Sequence, residues 1–377
     1  MEIVSKSKCS GCHACFNICP KDAITMVSDE NGFKYPQIDE NLCVHCNLCK
    51  KVCPVLKDIK KENDIHAYAC INKNDEVRKN SSSGGVFYLL AENILSKNGV
   101  VFGARFNDDF DVVHDYIEKI EDISLFQGSK YVQSTIHDSF KKAKKFLDSN
   151  RLVLFTGTPC QIEGLLSYLQ KDYPNLITQD FICHGVPSPK VFTFYKENIE
   201  CKYNDKIKNI YFRSKPHGWK DFYMSIDFEN NHYESSHDDD VYMKAFLNDI
   251  SLRESCYQCN AKKKHRLSDI TLADFWGIEN VLPELDDDKG TSLVIINSIS
   301  GKQLFEEIKN QIIYREVEYE KAIAHNPSLY QSVNRPKNRD TYLNSVTANN
   351  LNNVTKKYTK VSIFKKVIHK INRIIGG

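Results

Sequence analysis

Two stretches near the start of the chain decide how the rest is read: Cys9-Ser10-Gly11-Cys12-His13-Ala14-Cys15-Phe16-Asn17-Ile18-Cys19-Pro20 and Cys43-Val44-His45-Cys46-Asn47-Leu48-Cys49-Lys50-Lys51-Val52-Cys53-Pro54. Each reads C-x2-C-x2-C-x3-C-P, and the second repeats the first at a constant offset. Two chemistries use such combs. Paired C-x2-C units hold zinc tetrahedrally. A third close cysteine and a more distant Cys-Pro, present in both repeats, fit cubane iron-sulfur sites better. Between the combs, Ala23-Ile24-Thr25-Met26-Val27 and Phe33-Lys34-Tyr35-Pro36-Gln37-Ile38 read as short strands around Asn31-Gly32, a hairpin signal. So small a module has little apolar core and depends on its bound groups to hold together.

Outward from there the chain runs to 377 residues, 41% hydrophobic, with a net charge of +2 and 14 cysteines. That length buries more than one core. The balanced charge excludes a dedicated nucleic-acid binder, and no run of about 18 apolar residues offers a membrane span. The cysteines are too clustered for a disulfide scaffold. Ser5, Lys6, Ser7 and Lys8 precede the first comb in place of an apolar signal-peptide core, so a reducing cytoplasm is expected. Charged residues 57–65 read as a linker. After Asp340 no acidic residue follows, and Ile363, Phe364, Val367, Ile368 and Ile371 recur at helical spacing opposite Lys365, Lys366, Lys370 and Arg373. An amphipathic helix over 362–375 is expected, with Asn349 to Val354 as its linker. It suits either peripheral contact with an anionic membrane, on its inner face, or docking on protein.

From His66 the sequence alternates strand, small-residue loop and helix. Strands are expected at Ala67–Ile71, Val100–Phe106, Leu152–Phe155 and Leu176–Ile182, and helices at Val86–Ser96, Ser134–Leu147 and Gln161–Leu169. The fold class is therefore α+β: a small two-cluster domain (1–56), a linker (57–65), a larger mixed α/β domain (66–340) and a basic tail (341–377). Ser81-Ser82-Ser83-Gly84-Gly85 ahead of a helix reads equally as a phosphate cradle or an ordinary cap and turn. Thr156-Gly157-Thr158-Pro159-Cys160 has the same ambiguity at a strand end, where open α/β sheets place ligands. Cys160 and Cys183 follow strands, and Cys256 and Cys259 form a C-x2-C turn. They are either four ligands of a third cluster or two free thiols beside a separate chelating turn. Cys70 and Cys201 are not expected to be ligands.

The combs resemble those of two-cluster ferredoxins, in which three close thiolates wrap one cubane and the fourth reaches the other. The resemblance assigns Cys9, Cys12, Cys15 and Cys53 to one 4Fe-4S cluster, and Cys43, Cys46, Cys49 and Cys19 to a second. Beyond them, a series of motifs stands in order: Ser82-Ser83-Gly84-Gly85, Gly128 to Ser134, Leu154 to Gln161, Cys183-His184-Gly185-Val186-Pro187, Phe212-Arg213-Ser214-Lys215 with Gly218-Trp219, Leu252 to Cys259, Ser268 to Gly277 and Asp288 to Ser292. To about residue 335 the chain resembles the coenzyme F-420 hydrogenase/dehydrogenase beta-subunit family, in its bacterial branch with an N-terminal two-cluster ferredoxin.

That resemblance implies a flavin, FAD, at Ser82, Ser83, Gly84, Gly85, Gly128, Ser129, Lys130, Tyr131, Thr156, Gly157 and Thr158. It also implies a third 4Fe-4S cluster on Cys160, Cys183, Cys256 and Cys259. A flavin takes two electrons as hydride and releases them singly, so the implied partner is a redox carrier such as ferredoxin, flavodoxin or a deazaflavin. Lys130, His184 and Arg213 are the candidate catalytic or anion-holding side chains. Lys262 to Arg266 is either a docking patch for an acidic carrier or a solvated loop. The family's members include deazaflavin oxidoreductases, reductases of chlorophyll-like pigments and proteins associated with cell-surface polysaccharide synthesis, and the motifs here most resemble the last. Three functions stand in competition: an iron-sulfur flavoenzyme with its own substrate, an electron-transfer subunit of a larger redox complex, and a zinc-binding interaction protein.

Overall fold

The computed structural model describes residues 2–57 and 64–359. The helix expected over 362–375 lies outside the described residues. In the head, residues 2–57, β1 (Ile24–Ser28) and β2 (Lys34–Ile38) pair antiparallel with Ile24 opposite Ile38. Gly32 in the connecting turn has φ +82°, the left-handed region that glycine reaches without steric cost. Short helices Ala14–Ile18 and Leu48–Lys51 begin after left-handed His13 (φ 62°) and Asn47 (φ 59°). The repeat in the sequence is thus a repeat in the backbone.

The remaining strands in chain order are β3 (His66–Asn72), β4 (Val100–Phe106), β5 (Val112–Ile117), β6 (Val153–Gly157), β7 (Leu176–Phe181), β8 (Ile207–Ser214), β9 (Tyr223–Phe228), β10 (His232–Ser236), β11 (Ile270–Asp274), β12 (Ser292–Ile296) and β13 (Ile312–Val317). Among the described residues, eight of them form one mixed sheet in the order β13-β3-β12-β11-β7-β6-β4-β5, and β10-β9-β8 form a smaller one. β4, β6, β7 and β11 run parallel. Val101 and Leu154 face the helix Val86–Ser96 and pack with Leu90, Ile94 and Phe305. Their neighbours Phe102 and Phe155 face the other way and pack with Phe140 and Leu165. A sheet covered on both faces explains why these strands read as continuous apolar runs.

Two expectations shift. The helix expected from Ser134 begins at Ser139, because Thr135 instead exchanges backbone hydrogen bonds with Val112 and His114, both 2.9 Å. Asn349 to Val354 is no linker: Leu351–Tyr358 is a helix whose Leu351 is fully buried, packed against the helix Val241–Leu247. Its apolar Leu351, Val354 and Tyr358 carry the helical spacing that the asparagines around them obscure.

Head and body share an interface. The Ser188 hydroxyl donates to the Asn31 carbonyl (2.6 Å) and the Asn17 amide to the His137 carbonyl (2.8 Å). A Cβ at Gly164, on the helix Pro159–Leu169, would come within 3.0 Å of the Cys12 sulfur. The missing side chain lets a body helix lie directly on the first comb.

Candidate functional site

At the carboxyl ends of the parallel strands, where Gly157, Phe181 and Asp274 terminate β6, β7 and β11, a cavity of about 530 Å³ opens. One lip is Ser81–Ser83 and Gly85, leading into the helix Val86–Ser96, whose first turn receives no side-chain cap. Uncapped amides at a helix N-terminus favour an anion. The Ser129 amide and hydroxyl both donate to Ser82 Oγ (2.7 and 2.8 Å), tying this loop to Gly128–Tyr131. Gly128 is left-handed (φ +78°), and nothing lies within 4 Å of where its Cβ would be. Gly84 stands apart from the cavity. Its amide donates to Ser292 Oγ (2.9 Å), and a Cβ there would sit 2.3 Å from the Cys70 carbonyl. It serves close packing beneath the loop.

Thr156, Gly157 and Thr158 form a second wall. Thr158 caps the helix Pro159–Leu169 in a capping box with Gln161, whose side chain accepts from the Thr158 amide at 2.9 Å. That helix end is satisfied from within. The Ser-Gly loop is therefore the freer of the two anion cradles.

Cys160, Cys183, Cys256 and Cys259 all line the same cavity and act electrostatically on one another. Burial, reinforced by the neighbouring thiols, pushes Cys183 up to about 12 and Cys256 to about 11. Four thiolates this close are stable only around a cationic group, so the donor set fits a metal cluster. The Val186 amide already points at Cys256 Sγ (3.5 Å). The sequence brings these four from three separate segments. Cys70, buried within β3, and Cys201, exposed on the helix Pro189–Tyr203, lie elsewhere.

In the head, Cys12 and Cys15 each feel the charges of Cys9 and Cys53, and burial is the main force raising Cys12 to about 12. Cys19, Cys43, Cys46 and Cys49 surround a second, smaller cavity. Each comb thus gives three thiols to one group and its Cys-Pro thiol to the other. The groups differ in exposure: Cys9, Cys12 and Cys53 are buried, whereas Cys46 is exposed. Lys8, Ser10, Pro54 and Val55, which flank Cys9 and Cys53, also line the large cavity.

The three candidate side chains all border this cavity but are held differently. Arg213 is buried and forked onto Asp274, at 2.9 and 3.3 Å, with its plane 4.1 Å from the Phe222 ring centre. Its charge is matched. His184 Nε2 lies 2.5 Å from Asp249 Oδ1. Lys130 has only the carbonyls of Gln127 (3.0 Å) and Gly128 (3.3 Å) as partners and no ion pair among the described residues. Although partly open to the cavity, it is surrounded by enough protein that desolvation lowers it to about 7. The stretch Lys262 to Arg266 is tied down internally. Lys262 donates to the His184 and Gln331 carbonyls, Lys263 and Lys264 pair with Glu163 and Glu320, and Arg266 is buried against the Ala261 and Leu329 carbonyls.

Several cavity groups carried no readable signal. His114 on β5 is buried with Nε2 on the Thr156 carbonyl (3.0 Å), and burial lowers it to about 4, so it stays neutral. Trp276 stacks at 4.8 Å on Trp219, whose indole donates to Asp274 (3.0 Å).

Residues 150–322 match the family described as the C terminus of the coenzyme F420 hydrogenase/dehydrogenase beta subunit, and residues 8–56 match the 4Fe-4S dicluster domain. Among curated proteins, the chain is 21% identical to one of the subunits of F(420)H(2) dehydrogenase of Methanosarcina mazei, over 42% of this chain and 48% of that protein. It is 30% identical to coenzyme F420-dependent sulfite reductase of Methanocaldococcus jannaschii, over 44% of this chain and 26% of that one. The head is 38% identical to an uncharacterized ferredoxin of the same archaeon, over 16% of this chain and 88% of the ferredoxin. The chain spans about half the length of the dehydrogenase protein and about a quarter of the sulfite reductase. With the two domain matches lying in sequence on one polypeptide, the chain belongs to the coenzyme F420 hydrogenase/dehydrogenase beta-subunit family and carries a 4Fe-4S dicluster domain ahead of the beta-subunit domain.

Proposed function

We propose that this protein is an iron-sulfur flavoprotein oxidoreductase, in which the head exchanges single electrons with a redox carrier and the body reduces or oxidises a substrate at the cavity. The observation that carries this reading is the shared wall of that cavity. Ser-Gly loops with free helix amides, four convergent thiols, and head residues flanking Cys9 and Cys53 all border one space. When bound, 4Fe-4S clusters carry electrons singly and a flavin exchanges single electrons for pairs.

The residues have distinct tasks. Cys19, Cys43, Cys46 and Cys49 would hold one cluster at the exposed end, Cys9, Cys12, Cys15 and Cys53 one at the interface, and Cys160, Cys183, Cys256 and Cys259 one at the cavity. Ser82, Ser83, Gly85, Gly128, Ser129 and the amides opening the helix Val86–Ser96 would receive the phosphates of FAD. Lys130, unpaired and near neutrality, would supply the anion's counter-charge or a proton. Arg213 and Asp274, already matched, would hold the aromatic wall of Phe222 and Trp276 in place. The resemblance of Gly218-Trp219 and Asp274-Phe275-Trp276-Gly277 to polysaccharide-associated proteins points the substrate toward cell-surface polysaccharide synthesis.

A second reading makes the chain an electron-passing component whose cavity is completed by a partner. Phe181 and Leu247 favour it, both lining the cavity and each 41% exposed. Apolar side chains left open at a cavity mouth suit a covering surface. No helix of the described residues is long and apolar enough to cross a membrane.

The test is to mix the loaded protein anaerobically with a reduced carrier protein too large for the cavity and follow flavin absorbance. Rapid bleaching is expected in the parent and loss of most of that rate in Cys46→Ser. Equal rates in both would contradict electron entry through the head.

A further inference from the structure

Arg253 is fully buried between head and body and pairs with no carboxylate among the described residues. Its Nε donates to the Cys9 carbonyl (2.8 Å), Nη1 to Gln133 Oε1 (2.9 Å) and Nη2 to the Lys34 carbonyl (3.0 Å). Its guanidinium lies 4.2 Å from the Tyr35 ring centre. Gly11 permits this approach: a Cβ there would stand 3.0 Å from Nη1 and 3.1 Å from Cζ. The nearest acidic residue in sequence, Glu254, is occupied by Arg335 (2.8 Å) and Arg339 (3.1 Å). At its other end, the Arg253 carbonyl accepts from the Cys256 amide (2.9 Å), so the residue joins a thiol segment of the head to one of the body.

A buried charge ordinarily has a counter-charge or a metal centre to answer it. Hydrogen bonds to neutral carbonyls and an amide do not neutralise a guanidinium. What lies beside it are Cys9 and Cys256, each belonging to a group of four thiols, and a cubane held by four thiolates is net negative and gains one more negative charge on reduction. Resting on the cluster assignments above, we propose that Arg253 sets redox potential: its permanent, carboxylate-free charge stabilises the reduced state of the cluster held by Cys9, Cys12, Cys15 and Cys53. The step is the addition of one electron from the redox carrier, with no bond made or broken. Arg253 touches no substrate and acts as a positioning and potential-setting residue.

The test is an EPR-monitored redox titration of the full, iron-loaded chain with iron and sulfide counted on the same samples. Gln133→Glu places a carboxylate where Nη1 now donates, neutralising Arg253 while keeping its packing. Its cluster is expected to be about tenfold harder to reduce, about 59 mV more negative for one electron. Arg253→Lys, which keeps the charge and loses the fork, is expected to shift far less than Arg253→Met. Parent-like iron in Gln133→Glu with an unshifted potential would overturn the proposal, as would equal shifts in Arg253→Lys and Arg253→Met. A parent protein that takes up no iron would overturn the cluster assignment itself, and the iron count separates that failure from the other two.

Discussion

Residues 2–57 bury Ile3, Ile24, Phe33, Tyr35 and Val52 beside four of their own cysteines, whereas the body sheet encloses Phe102, Phe140, Phe155 and Leu165 on one face and Leu90, Ile94, Leu154 and Phe305 on the other. In the head, thiols occupy positions where a body strand would place a phenylalanine. The two regions are therefore held by different terms. Apolar burial at roughly 25 cal/mol per Å² supports the body without any bound group, while the head's thiols repel one another once ionised and attract only around a cation.

Removing iron is the harshest way to break that comparison. Hydrogen exchange after anaerobic chelation is expected to show loss of protection at β1 and β2 with the body sheet still protected. Retained protection in the hairpin would mean that the head folds on its few apolar residues. A sharper probe of the body is Asp274→Asn, which leaves buried Arg213 without its counter-ion. Breaking such a pair costs about 3–5 kcal/mol, so a denaturant titration of body signals should show that loss while head iron content is unchanged. The smallest effect concerns Lys130. Its ammonium, lowered by desolvation to about 7, loses its proton as pH rises through that value. Rebinding of FAD to flavin-free protein should weaken above about pH 7, and Lys130→Met should cost about tenfold, about 1.4 kcal/mol, and flatten the dependence. The same shift makes stability rise with pH between about 7 and the ordinary lysine value near 10, because there the unfolded chain binds more protons. A pH-independent parent would remove Lys130 from the anion's surroundings.

The head was legible because its chemistry is local: spacing within twelve residues places three thiols around one point, and Asn31-Gly32 marks the hairpin between combs. The strands of the body were legible from apolar runs, and the helix Val86–Ser96 from its period. What stayed hidden depends on contacts across distance. Arg213 ends β8 in the small sheet and Asp274 ends β11 in the large one, and nothing in either motif states that they meet. Arg253 sits inside the quoted Leu252 to Cys259 motif, yet its three acceptors come from Cys9, Lys34 and Gln133. His114 occupies an ordinary strand position and becomes a cavity residue only because β5 lies at the edge beside β4. The meeting of Cys160 and Cys183 with Cys256 and Cys259 required the parallel order of β6 and β7.

The measurement that bears most directly on the account is a count of iron, acid-labile sulfide and flavin per chain on one anaerobic preparation, repeated on Cys183→Ser. The account predicts about twelve iron and one flavin in the parent, falling to about eight iron in the variant as one four-thiol site is lost. About eight iron in both, with no flavin in either after cofactor loss has been controlled, would contradict it and leave a ferredoxin head on a body that carries no redox group.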